Sequence, residues 1–302
     1  MRILLAGGTG VLGRATVPRL VAAGHEVSAV SRRDDSDRAL RAAGAEPVRL
    51  DIFDPDAVAA AAAGADAVVN LATHIPPASR VAIPKAWELN HRLRRDASRH
   101  LAEAAIAAGA RYIQESFAPT YADNGADWID ENHPLEPVAQ ATTVVDAEHS
   151  ADVVTQKGGV GVALRFGLFY SADSDQTRQM ITAARKGRLF LPGPPQRYVS
   201  LIFVEDAAGA VVAALTVPAG VYNVVEDQPM TLAEHGAVLA DLLGRNAVKP
   251  LPAAAGRLSV MKVLARSQRI SNARLRAASD WRPKAPSGRE GWAMILAEVA
   301  RG

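Results

Sequence analysis

Seven residues near the start constrain this chain more than any others. An apolar run at 3–6 leads directly into Gly7-Gly8-Thr9-Gly10-Val11-Leu12-Gly13, and a helix-length segment follows. In such a turn one glycine lets the chain reverse tightly, a second lets a phosphate approach the main chain, and a third lets helix and strand pack closely. The new helix then offers amide donors and the positive end of its dipole. In this strand–turn–helix setting, Gly7, Thr9, Gly10, Val11, Leu12 and Gly13 read as a dinucleotide cradle. No Gly-Lys-Ser/Thr ending follows, which excludes a nucleoside-triphosphate loop.

The pattern beyond the turn is alternating. Segments 3–6, 26–30, 47–50, 67–71, 111–114 and 160–166 are strand-like, and segments such as 12–23, 38–43 and 87–108 can hold helices. No two-residue hairpin turn joins the strands, so βαβ units and a parallel sheet are expected. The fold class is α/β: a doubly wound parallel sheet of Rossmann type with a smaller C-terminal substrate or cap domain. The expected division is 1–165 with 199–224 for the dinucleotide domain and 166–198 with 225–302 for the cap. Pro18 is the local conflict, since proline inside a helix removes a hydrogen bond and bends it. Thr231-Leu232-Ala233-Glu234 predicts a capping box opening a later helix.

Composition narrows the function. With 34 basic and 32 acidic side chains the net charge is +2, so the pI near 9.0 reflects a small excess and not a polyanion-binding surface. The basic stripe Arg92, Arg95 and Arg99 reads as a solvated or subunit-interface face. No cysteine is present, which excludes disulfides, thiolate metal sites and cysteine nucleophiles. Aromatics are only 5%, which argues against base-stacking platforms and so against nucleic acid. No metal constellation is seen. Apolar runs stop well short of a membrane span, and the start is too quickly broken by glycine for an export signal, so a cytoplasmic location is expected.

Strand ends supply the remaining site candidates. Ser31-Arg32-Arg33 closes the second strand, where an NAD site would carry an acidic residue for the ribose hydroxyl. Two guanidiniums suit a phosphate fork, so NADP is expected, with Arg14 as a further contact. The other reading is a solvated loop balanced by Asp34-Asp35. Asp51-Ile52 could bind the adenine amine, and Leu71-Ala72-Thr73 could let the cofactor pass.

These pieces resemble the short-chain dehydrogenase/reductase superfamily in its extended, epimerase/dehydratase-like branch. The resemblance rests on Gly7 to Gly13, Asp51-Ile52, Asn70 to Thr73, Asn90, Ser116 to Tyr121, Leu164-Arg165, Phe203 to Asp206, Val221 to Val224 and Trp281-Arg282-Pro283. It implies a Ser or Thr with a Tyr-x-x-x-Lys pair for proton transfer, and a homodimer interface on the helix expected over 87–108. Here Phe117 stands in the serine's place, Gln140 in the tyrosine's and Val144 in the lysine's, and no Tyr-x-x-x-Lys occurs in the chain. Tyr121 is then the first choice for a displaced acid and His74 the second, with Ser116 beside them. Phe117, Gln140, Phe169 and Tyr170 are the expected substrate contacts. The expected function is an NADP(H)-dependent oxidoreductase acting on a small, fairly apolar carbonyl or enone. A redox-neutral isomerase, cyclase or dehydratase and a non-catalytic NADP sensor remain alternatives. Sugar nucleotides fit less well, because Val199 stands where family members that bind them carry arginine.

Overall fold

Every strand of the central sheet runs parallel to its neighbours. The computed structural model describes residues 1–77, 80–252 and 259–301. Seven strands form the sheet: β1 (Arg2–Ala6), β2 (Glu26–Ser31), β3 (Glu46–Arg49), β4 (Ala67–Asn70), β5 (Arg111–Phe117), β6 (Gly161–Phe166) and β7 (Gly220–Val224). Their order is β7-β6-β5-β4-β1-β2-β3. Parallel strands covered on both faces read as continuous apolar runs. All four residues of β4 and all six of β6 are buried. The order reverses between β1 and β4, and that reversal opens a crevice at the carboxyl ends of the strands.

Helices cover the sheet: α1 (Val11–Ala22), α2 (Asp34–Ala42), α3 (Pro55–Ala62), α4 (Glu88–Arg92), α5 (Ser98–Ala108) and α6 (Val144–Gln156). Helix α1 continues through Pro18, which lies exposed on its outer face. The segment expected to be one helix over 87–108 is broken into types. A 3-10 turn, Pro84–Trp87, precedes α4, and a π turn, Leu93–Ala97, separates α4 from α5. The π turn carries Arg94, which is 4% exposed and pairs with the buried Glu115 of β5 at 3.2 Å.

Two large apolar clusters meet across the second half. The first joins the sheet and α1 to Ala207, Val211, Leu275 and Trp281. The second gathers Tyr170, Leu189, Val199, Leu201, Phe203, Leu239 and Trp292. The 199–224 and 225–302 segments therefore each contribute to both clusters. The expected capping box is present: the Thr231 hydroxyl accepts from Glu234 N, and Glu234 reaches back to Thr231 N.

Beside the second cluster, Glu226 is 1% exposed and accepts a hydrogen bond from the Tyr170 hydroxyl, while its Oε2 has no partner among the described residues. Burial pushes the Glu226 carboxyl up to about 8, the Tyr170 hydrogen bond opposing this and Asp206 and Glu290 adding to it. A raised carboxylate pKa means the folded state keeps a proton that the unfolded chain gives up. Stability from this group is therefore complete below the ordinary glutamate range and declines as pH rises towards 8. Glu226→Gln should then stabilise the protein by a few kcal/mol more at about pH 8 than at about pH 5. Denaturant unfolding at the two pH values checks this, and an equal gain at both would contradict it.

Candidate dinucleotide and substrate site

The glycine turn is built by contact with β4. Gly7 has φ +86°, and a Cβ there would lie 2.5 Å from the Leu71 carbonyl carbon. A Cβ on Gly13 would lie 2.1 Å from the Gly7 oxygen. Both positions therefore require glycine, one for its backbone conformation and closeness, the other for closeness alone. Gly10 caps α1 without a side chain, and its amide donates to Gly7 O at 3.0 Å. The amides of Val11, Leu12 and Gly13 have no acceptor inside the helix. They would hold dinucleotide phosphates, with exposed Thr9 and Gly10 at the rim.

The end of β2 differs from the sequence expectation. Ser31 is 4% exposed and donates to Asp37, whose carboxylate is also held by Arg49. Arg33 is engaged by Asp35 through both nitrogens, Nε to Oδ1 at 3.0 Å and Nη2 to Oδ2 at 2.9 Å. Of the three residues expected as a phosphate fork, Arg32 alone is exposed with no ion pair among the described residues. Asp37 accepts from the buried Ser31, and Asp35 pairs with Arg33 at the surface, where both side chains stay more than half exposed.

Asp51 is exposed and accepts from Phe53 N at 3.0 Å, and Ile52 beside it is buried. Leu71 is buried, its amide bonded to Ala6 O at 2.9 Å, and Ala72 N donates to Asn70 Oδ1 at 3.1 Å. Thr73 and His74 are exposed. The His74 amide donates to Asn90 Oδ1 at 2.9 Å, and Asn90 Nδ2 is buried without a partner among the described residues. Phe117, Gln140 and Phe169 are half-buried, and Phe169 packs on Phe166 with ring centroids 5.3 Å apart.

Two expected site tyrosines are sealed away from solvent. Tyr121 is fully buried; its hydroxyl donates to Asn223 Oδ1 at 2.7 Å and accepts from Arg165 Nη1 at 2.7 Å. Burial pushes its phenol up to about 12 against the opposing pull of Arg165. A phenol so committed has no route to a ligand in this structure. Tyr170 is 1% exposed, bonded to Glu226 and packed against Phe203 and Trp292. Its position at a strand end suggested the crevice, but the strand Leu168–Tyr170 pairs with Leu201–Phe203 and carries it into the second apolar cluster.

Ser116 is likewise committed. It is 1% exposed and donates to Glu148 Oε1 at 2.5 Å. Glu148 in turn is gripped by Arg165, Nε to Oε1 at 2.7 Å and Nη2 to Oε2 at 2.6 Å. Sequence reasoning missed this chain of contacts, which links β5, β6, α6 and the loop carrying Tyr121. Its signal was a charged residue inside an otherwise apolar strand, Arg165 in the 161–166 run. Val144, in the lysine's place, is fully buried one turn before Glu148. Among the described residues, no group of His, Asp or Glu is arranged to hold a metal, and no helix is long and apolar enough to cross a membrane.

Sheet order, glycine turn and crevice define a dinucleotide-binding protein of the doubly wound type. More narrowly, the chain belongs to the NAD dependent epimerase/dehydratase family, whose family model matches residues 3–225. It is 36% identical over 305 residues to a 3-diazoavenalumate denitrifying reductase from Streptomyces sp, covering 96% of this chain and 99% of that one. It is 27% identical over 217 residues to the 2-alkyl-3-oxoalkanoate reductase of Stenotrophomonas maltophilia (strain K279a), covering 69% of this chain and 63% of that one. Human epimerase family protein SDR39U1 (isoform2), solved with NADPH, has the same fold: TM-score 0.77 at 24% identity, over 98% of this chain and 99% of that one.

A structural tyrosine makes a definite prediction. Tyr121→Phe removes the shared hydroxyl between Arg165 and Asn223 and should cost about 1–3 kcal/mol of stability. Denaturant unfolding reads that loss, and calorimetric titration should find NADPH affinity unchanged. Any fall in turnover beyond about 10-fold would return Tyr121 to proton transfer.

Proposed function

We propose that this protein is an NADP(H)-dependent reductase of a small, fairly apolar acceptor, working without a proton-donating side chain of its own. The observation that carries the reading is the combination of an intact glycine cradle with apolar or committed residues at all of the proton-transfer positions. Bound NADPH would supply a hydride. Gly7 and Gly13 would let the main chain approach its phosphates, and Arg32 would meet the 2′-phosphate. Phe117, Phe169 and Gln140 would line the acceptor site, and Val144 offers no charge there.

The acceptor class follows from what such a site cannot do. A carbonyl that receives hydride becomes an alkoxide, which needs a proton or an oxyanion partner at that moment. An arenediazonium needs neither. The ring carbon gains the hydrogen, the electron pair of the C–N bond leaves with dinitrogen, and the cofactor ends as NADP⁺. The relative whose name describes denitrifying reduction of a diazo compound, matched along nearly its whole length, supports this acceptor. The oxoalkanoate reductase supports a second reading, a 3-oxo acid or enone reduced with water or His74 as proton source.

Incubation with NADPH and an arenediazonium salt should oxidise the cofactor in step with dinitrogen release, at a rate flat between about pH 6 and pH 9. Turnover of a 3-oxo acid alone, falling at least about 10-fold in His74→Phe, would favour His74 and the second reading. Substrate conversion with the cofactor unchanged would instead favour redox-neutral chemistry. For cofactor choice, Arg32→Ala should erase about 1–3 kcal/mol of NADPH preference over NADH, while Arg33→Ala should change it little. Calorimetric titration measures both, and equal affinities in the unmodified protein would contradict the NADP assignment.

A further inference from the structure

Arg14 joins the glycine turn to the loop that follows the strand Leu168–Tyr170. It lies in the first turn of α1, immediately after Gly13. Its Nη1 donates to Thr9 O in the glycine turn at 3.2 Å. Its Nη2 donates to Asp173 Oδ2 at 2.8 Å. Asp173 belongs to the loop between the strand Leu168–Tyr170 and the helix α7 (Asp175–Arg185), on the side of the second apolar cluster. That loop is itself braced: the Ser171 hydroxyl donates to Asp173 Oδ1 at 2.8 Å, Ser171 N to Thr177 Oγ1 at 3.1 Å, and Ser174 caps α7. One guanidinium therefore ties the turn whose amides would hold the phosphates to a rigid loop of the other half.

We propose that the Arg14–Asp173 pair is a strap across the dinucleotide site, which opens to admit the cofactor and recloses on it, so that Asp173 sets the cofactor's residence time. The inference rests on the dinucleotide reading of the site. Asp173 acts through Arg14 and is a positioning residue. Three features suit the pair to this work. The side chains are 47% and 52% exposed, so the bond is weak and screened by salt and can open readily. Arg14 has a second contact, to Thr9 O, that does not depend on Asp173 and would hold it at the turn. The Ser171 and Ser174 contacts hold the Asp173 loop in register, so little ordering is needed to reclose.

Stopped-flow fluorescence of NADPH tests this on the whole protein, comparing the unmodified chain with Asp173→Asn and Asp173→Glu. In the unmodified protein, release should quicken as ionic strength rises. Asp173→Asn should release NADPH about 3–10-fold faster at low salt and show a shallower salt dependence, keeping only the part due to Arg32 and the phosphates, because a neutral amide cannot hold the guanidinium by charge. It should also admit NADPH faster, leaving the equilibrium affinity within a few-fold. Asp173→Glu should restore slow, salt-sensitive release, which a purely structural role for the loop would not produce. Unchanged release in Asp173→Asn, with NADPH still binding, would overturn the strap alone. Failure of the unmodified protein to bind NADPH or NADH would overturn the dinucleotide reading and the strap with it.

Discussion

The rest of the structure depends on how closely Gly7 sits against Leu71. Strand β1 lies between β2 and β4, and its last residue, Ala6, pairs with Asn70 while the Leu71 amide still bonds to Ala6 O. The turn must therefore leave the sheet under the start of the next strand's loop, with no room for a side chain at Gly7 and none at Gly13. That constraint aims the first turn of α1 into the crevice where the strand order reverses. It also fixes where Arg14 emerges, and so which loop of the second half it can reach.

The second organising element is electrostatic. Ser116, Glu148, Arg165, Tyr121 and Asn223 form one buried hydrogen-bonded chain, and Glu115, the neighbour of Ser116 on β5, forms a second buried pair with Arg94 of the π turn. Buried charges are tolerated only when paired, and removing one partner is far costlier than the pair's net contribution. This arrangement holds the carboxyl end of β5 rigid beside the crevice without presenting a free acid to it. Tyr121, Ser116 and Tyr170 are all held in buried hydrogen bonds, and on the proposed reading the chemistry left to the site is positioning of a donor and an acceptor.

The fold was legible because its signals are local. Strand ends, the glycine turn and the Thr231 capping box each follow from residues within a few positions of one another. The need for glycine at positions 7 and 13 was legible because main chain sets it, whereas side-chain partners were less so. Ser31 and Arg33 have partners in Asp37 and Asp35 that the sequence did not announce, carboxylates whose reach depends on the α2 geometry. Tyr121 and Tyr170 stood at the ends of strand-like segments, yet partners 102 and 56 residues away, Asn223 and Glu226, bind their hydroxyls. Partners that distant leave no trace in local pattern. The π turn at Leu93–Ala97 was equally invisible, because helical periodicity does not register one extra residue in a turn.

The central claim is that hydride transfer here needs no proton from the protein or from water. Isotope effects on a single turnover with an arenediazonium test it most directly. NADPH carrying deuterium at the transferred position should slow the reaction and leave its label on the arene carbon, while heavy water should change neither the rate nor the product. A rate that falls in heavy water, or an arene carbon that takes its hydrogen from solvent, would contradict the account.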